Sequence, residues 1–110
     1  MIAEIQPHEV HARYQREAAV LLIDVREAEE FANAAAPYAR TYPLSALNPV
    51  EILSELQLNP GVDQVPLYFI CAGGVRSHRA AELFRAAGYT AVYNVSGGMY
   101  RWFQQGLPLR

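Results

Sequence analysis

The sequence predicts an α/β domain built on a central, mostly parallel five-stranded sheet with helices on both faces. Two short runs, AVLLIDV at 19–25 and VPLYFI at 65–70, are almost wholly apolar, as strands buried on both faces of a parallel sheet must be. Helical periodicities alternate with the strand patterns, which is the order that parallel pairing needs for its crossovers. With 110 residues, 52% hydrophobic and 18% charged, the chain suits one domain over 1–110 and one core without disulfides or structural metal.

The elements follow in order. A weak strand at 2–5 precedes a helix over about 7–17, opened by Pro7, whose missing N–H costs nothing in a first turn. After the strand at 19–25 comes a helix over 27–35 with acidic residues near its positive end. A second weak strand is expected at 39–42 and a helix at 49–57. The strand at 65–70 leads to a helix over 77–87, where Ala80, Leu83, Phe84 and Ala87 share one face, His78, Arg79, Glu82 and Arg85 fall elsewhere, and Gly88 is the stop. TAVYNV at 90–95 is β-branched and aromatic, a strand pattern. SGGMYRWFQQGLP then reads as a glycine turn, a short helix with Met99, Trp102 and Phe103 on one side, and a Gly/Pro stop.

Charge and composition exclude several functions. A net charge of −2 argues against nucleic-acid or membrane-surface partners, which need a basic face. All nine basic residues are arginines, so Schiff-base chemistry, lysine-bound pyridoxal phosphate and the P-loop lysine are excluded together. The start, MIAEIQPHEV, has no basic n-region, and the longest apolar run, AAVLLI, is too short to span a bilayer; a cytoplasmic location is expected. His8 and His11 lack the further ligands a metal needs and are expected on a solvated helix face, with no metal bound.

The single cysteine, Cys71, stands where a buried strand meets a helix, in LYFICAGGVRSHRAAELFRAAGY. In open α/β sheets this is where ligands bind. Ala72, Gly73, Gly74 and Val75 allow the backbone to curl with its N–H groups inward, and a helix starting at about Arg76 or Ser77 adds its positive end. A thiol there, near Arg76, carries thiolate at neutral pH. Four residues separate Cys71 from Arg76, one fewer than in cysteine phosphatases, so the cup is smaller and suits a sulfur atom held on Cys71. An oxyanion enzyme acting on arsenate or a phosphate ester is the alternative; it needs a general acid, for which Asp24 and Asp63 are the aspartates available. Ser96, Gly97 and Gly98 form either a second anion nest or a tight turn, and His78 either lines the pocket mouth or lies on the surface.

CAGGVRS resembles the active-site loop of the rhodanese superfamily, C-x-x-G-x-R/T-S/A, and LIDVREAEEF, YPLSAL and GYTAVYNVSGGMYRW are similar to its other signatures, in the same order. The resemblance covers essentially the whole chain and implies a single rhodanese-like domain that transfers sulfane sulfur. By position, Cys71 is the sulfur-accepting nucleophile, and Ala72, Gly73, Gly74, Val75 and Ser77 are the cradle. Arg76 holds the donor's anionic end, with Arg79 and His78 at the rim, while Asp24 and Arg26 are mainly structural, buried and paired. The implied cycle is a double displacement through a Cys71 persulfide, needing no cofactor: the donor is thiosulfate or another persulfide, and the acceptor is cyanide, a small thiol, or a protein cysteine such as that of thioredoxin. A carrier that passes persulfide between partners without small-molecule turnover is the non-enzymatic alternative. One segment departs from the family's G-H-I-P-G-A: Ala34, Ala35, Ala36, Pro37, Tyr38 and Ala39 lack both glycines and the histidine, so local geometry beside the sheet is expected to differ.

Overall fold

The computed structural model describes residues 1–17 and 19–110; Ala18, the first residue of the AAVLLI run, lies outside the described residues. The strands are β1 (Ala3–Ile5), β2 (Leu21–Asp24), β3 (Arg40–Thr41), β4 (Leu67–Ile70) and β5 (Val92–Val95). The helices are α1 (Pro7–Glu17), α2 (Ala28–Asn33), α3 (Pro49–Glu55), α4 (Val75–Ala86) and α5 (Gly98–Gln104), with a 3₁₀ turn at Leu44–Ala46 that the sequence reading did not include. Among the described residues, one sheet runs β1-β5-β4-β2-β3 with every pairing parallel.

The two-residue alternation of the buried strands sorts the core into two layers. Leu67, Phe69 and Cys71 on β4 and its continuation join Ile23, Val25, Leu53, Ala81 and Phe84 under α3 and α4. Tyr68 and Ile70 face the opposite way and join Leu22, Val10, Val95 and Trp102 under α1 and α5. Both faces of the sheet are therefore covered, which is why the central runs contain almost no polar residue.

Several boundaries move for physical reasons. Pro66 has no N–H, so pairing of β4 starts at Leu67, whose N–H donates to Ala91 O at 2.9 Å. Helix α4 begins two residues before the expected 77 because Gly74 takes φ +111 and its carbonyl accepts the His78 N–H, closing a turn around the loop. Its buried stripe is Ser77, Ala80, Ala81 and Phe84, with Leu83 and Ala87 only partly covered. Phe103 was expected inward with Met99 and Trp102 but is 62% exposed: the buried face of α5 is Gly98, Met99 and Trp102, centred on Trp102, and Phe103 stands about 100° round the helix from that centre. His11 is not on a solvated face: Nδ1 lies 3.1 Å from Tyr38 Oη and the ring packs among Tyr14, Tyr38 and Trp102. In the departing segment, Ala35 and Ala36 are fully buried, and Tyr38 stacks on Tyr14 with 3.6 Å between ring centroids.

Two buried features set the positions of the loops at the carboxyl end of the sheet. Asp24, fully buried at the end of β2, accepts from Arg26 Nε at 3.0 Å, Arg26 Nη2 at 2.8 Å and the Arg26 backbone N–H at 3.0 Å. Arg26 Nη2 also donates to Ala34 O at 2.7 Å and Nη1 to Glu30 O at 3.3 Å, tying the end of α2 to β2. The second feature is the start of α5, where the Met99 N–H donates to Cys71 O at 2.8 Å and the Tyr100 N–H to Ala72 O at 3.1 Å. Gly98 makes this approach possible: with φ +56, a Cβ on it would lie 2.3 Å from Cys71 O and 2.6 Å from Ala72 O.

Two outcomes are expected. Asp24→Ala leaves the Arg26 guanidinium buried without its counter-charge and should cost about 3–5 kcal/mol in urea unfolding. Gly98→Ala should cost about 2–3 kcal/mol, against about 1 kcal/mol for Gly106→Ala, which shares the left-handed backbone but would meet no neighbouring atom. Equal losses for the two glycine variants would show that backbone strain alone, without the clash, accounts for the effect.

Candidate active site

Cys71 follows directly on β4, the central strand, and its side chain is 1% exposed. Its Sγ accepts the Gly74 N–H at 3.0 Å and lies 3.2 Å from Ser77 Oγ. Burial pushes the thiol up, but the Ser77 hydroxyl and the backbone N–H groups of Ser77, Gly74 and Gly73 outweigh it, so Cys71 ionises below the ordinary thiol value.

The orientation of the cup has a covalent cause. Each trans peptide points its C=O and N–H in opposite directions. The Cys71 and Ala72 carbonyls are turned out onto the first N–H groups of α5, and the second of these peptides thereby turns the Gly73 N–H to the sulfur side, beside that of Gly74. SGG at 96–98 forms the turn into α5, with the Ser96 N–H donating to Ile5 O at 2.8 Å and the Met99 and Tyr100 N–H groups that follow it taken by the cysteine loop.

Arg76, expected to hold an anionic donor, is closed on α2. Its Nη1 and Nη2 donate to Glu30 Oε1 and Oε2 at 2.7 and 3.0 Å, a two-pronged pair about one-third exposed on each side. These bonds hold the Glu30 carboxyl down at about 2 and raise Arg76 in turn. Asp24 and Arg26 form the buried pair described above and stand behind the site. Arg79 lies 3.7 Å from Glu82 on its own helix.

An open cleft of about 590 Å³ runs along one side of the loop. It is lined by Gly73, Gly74, Val75 and His78 from the cysteine loop and α4, and by Glu4, Asn94, Ser96 and Arg101 from β1, β5 and the start of α5. His78 therefore lines the cleft, while Cys71, Arg76 and Arg79 do not. Asn94 is buried: its Nδ2 donates to Gly74 O at 3.0 Å and to Glu4 Oε2 at 3.0 Å, and its Oδ1 is 2.5 Å from Ser77 Oγ. Ser96 Oγ donates to Glu4 Oε1 at 2.8 Å.

The sequence reading missed Glu4, Glu30, Asn94 and Arg101. Asn94 carried a usable signal, since it is a lone amide within an otherwise apolar and aromatic strand run. The others lie far from Cys71 in sequence and look like ordinary surface charges until the sheet brings them in. Among the described residues no three His, Cys, Asp or Glu side chains converge as a metal site, and no helix is long and apolar enough to cross a membrane.

Comparison with known proteins agrees with this geometry. Residues 6–105 match the Rhodanese-like domain family. A sulfurtransferase of Allochromatium vinosum is 32% identical over 109 residues, 99% of this chain and 95% of that protein. A thiosulfate:glutathione sulfurtransferase of Homo sapiens is 32% identical over 96 residues, 76% of this chain and 79% of that protein. The uncharacterised protein YqhL of Bacillus subtilis is 40% identical over 81 residues, 74% of this chain. The chain spans 59% of that relative's length and 49% of a similar one from Synechocystis. The crystal structure of a rhodanese-like domain protein from Staphylococcus aureus superposes with a TM-score of 0.73 at 30% identity, covering 92% of this chain and 91% of that one. With its cysteine cup at the end of the central strand and a family match over nearly its whole length, the chain belongs to the rhodanese-like domain family.

Proposed function

We propose that the protein is a sulfurtransferase that moves sulfane sulfur from an anionic donor such as thiosulfate to a thiol or other thiophilic acceptor. The observation that carries this reading is the Cys71 sulfur held by Gly74 N–H and Ser77 at the mouth of a positive helix end. The Cys71 thiolate attacks the outer sulfur of thiosulfate; the new bond joins Sγ to that sulfur, and the donor's S–S bond breaks with its electron pair leaving on sulfite. The terminal sulfur of the persulfide carries a negative charge, which the ring of N–H donors stabilises in place. An acceptor then takes the outer sulfur, and the Sγ–S bond breaks to return the thiolate. Cys71 is the only cysteine of the chain, so the persulfide has no internal resolving thiol and its sulfur passes to a separate molecule.

Two arrangements favour sulfur transfer over phosphate-ester or arsenate chemistry. The loop is one residue shorter than a phosphatase loop, and neither aspartate is placed as a general acid: Asp24 is taken up by Arg26, and Asp63 Oδ2 accepts the Asn59 N–H at 2.7 Å. The relative named for thiosulfate and glutathione supports the same donor and acceptor classes. Because Arg76 is neutralised by Glu30 and Arg101 lines the cleft, we assign the attraction of the donor's anionic end to Arg101 and the holding of the loop to Arg76.

Incubation with thiosulfate should add one sulfur atom to the intact mass of the wild type and none to Cys71→Ser, and cyanide should remove it as thiocyanate. Failure to form the adduct with any sulfane donor, alongside turnover of arsenate or a phosphate ester, would overturn the proposal. Arg101→Gln should lower kcat/KM for thiosulfate about two- to five-fold and leave kcat/KM for a neutral thiol acceptor unchanged, as expected for loss of an exposed attraction. Double-displacement kinetics measure the two half-reactions separately.

A further inference from the structure

The Ser77 hydroxyl has two partners and one proton. It lies 3.2 Å from Cys71 Sγ and 2.5 Å from Asn94 Oδ1. The Asn94 amide cannot be reversed to relieve this, because both Nδ2 hydrogens are committed to acceptors, Gly74 O on one side and the Glu4 carboxylate on the other. At 2.5 Å, two oxygens need a proton between them. In that state Ser77 donates to Asn94 and offers Cys71 Sγ only lone pairs, which favours the thiol. When the proton turns to Sγ instead, it supports the thiolate beside the N–H groups of the cup, and Asn94 Oδ1 is left facing oxygen lone pairs.

Glu4 is placed to weight this choice. It pairs in register with Asn94 across the parallel β1 and β5 strands, and its carboxylate is oriented by the Ser96 hydroxyl at the cleft wall. A negative charge on the Nδ2 side of an amide makes the amide oxygen a stronger acceptor, because hydrogen bonds in a chain polarise one another. We propose that Glu4 is a positioning residue that acts on Cys71 through Asn94 and Ser77, its carboxylate drawing the Ser77 proton toward Asn94 Oδ1 and away from Cys71 Sγ. The row Glu4–Asn94–Ser77–Cys71 thus links the wall of the open cleft to a sulfur buried behind it. It tempers the thiolate that the N–H cup promotes.

Other charges face the same region: Arg76 with its partner Glu30 from α2, the closed Asp24–Arg26 pair behind β4, and His78 and Arg101 in the cleft walls. All are present in every protein compared below, so their titration cancels in the differences. The inference rests on the reading of Cys71 as a reactive thiol but not on sulfur transfer, and the test uses no sulfur donor.

The experiment follows the rate of Cys71 alkylation by iodoacetamide against pH for the wild type, Glu4→Gln, Ser77→Ala and the double variant, with ultraviolet absorbance of the thiolate as a second readout. Glu4→Gln should lower the midpoint by about half a unit or more, and the shift should vanish in the Ser77→Ala background, since the relay is broken there. A shift that persists in that background would make Glu4 a through-space charge and overturn the relay. So would a midpoint that stays in place or rises in the single variant. If Ser77→Ala does not fold, Asn94→Ala breaks the same row, and there too the Glu4 effect must disappear.

Discussion

Strand β4 is hydrogen-bonded along both edges, to Leu21–Asp24 on one side and to Val92–Asn94 on the other, and it is buried on both faces. Its end cannot move without disturbing two ladders and two core layers. Cys71 inherits that rigidity, because it is the next residue and its side chain continues the inward alternation of Leu67 and Phe69. In the sulfur transfer proposed above, a nucleophile on such a strand end needs no ordering when substrate arrives, which is the advantage of building a site on a rigid element.

From that strand end, two ion pairs of different character fix the surrounding loops. Asp24–Arg26 is buried, is bonded further to the carbonyls of Glu30 and Ala34 at the C-terminal end of α2, and is costly to break by halves. Arg76–Glu30 is about one-third exposed on each side, so solvent screening holds its worth to about 1 kcal/mol or less. The buried pair sets where α2 lies; α2 presents Glu30; Glu30 takes the guanidinium of the cysteine loop. The second pair therefore orients more than it stabilises, and it removes Arg76 from the cleft.

The loop itself is shaped by where its carbonyls go. Helix α5 takes the Cys71 and Ala72 carbonyls and Asn94 takes that of Gly74, which holds the loop with the Gly73, Gly74 and Ser77 N–H groups toward the sulfur. Among the described residues every buried side-chain nitrogen and oxygen has a partner, so the polar network beneath the loop is complete. Completeness has a consequence at Ser77, whose single proton serves two acceptors. A fully satisfied network with one shared proton is a natural point at which an outer charge can weight an inner ionisation.

Much of this was legible in the chain. The five strands and the helices between them follow from local patterns: apolar runs too short and too β-rich for buried helices, periodic segments opened by Pro7 and closed by Gly88, and an isolated cysteine before small residues. The nature of the loop was also readable, because glycine's backbone freedom and the positive end of a helix are properties of adjacent residues. Long-range partnerships were not. Nothing near Arg76 announces that Glu30, 46 residues away, will take its charge, and nothing near Ser77 announces Asn94 or, behind it, Glu4. Those contacts exist only because the parallel order β1-β5-β4-β2-β3 brings β1 and β5 to one side of Cys71 and α2 to the other. The sequence by itself determined the elements, the fold class and the cysteine of the candidate site, since each depends on neighbours along the chain. Tertiary structure alone decided which charges remain available to a substrate and which proton the cysteine must share, since both depend on side chains that meet only after the sheet has formed.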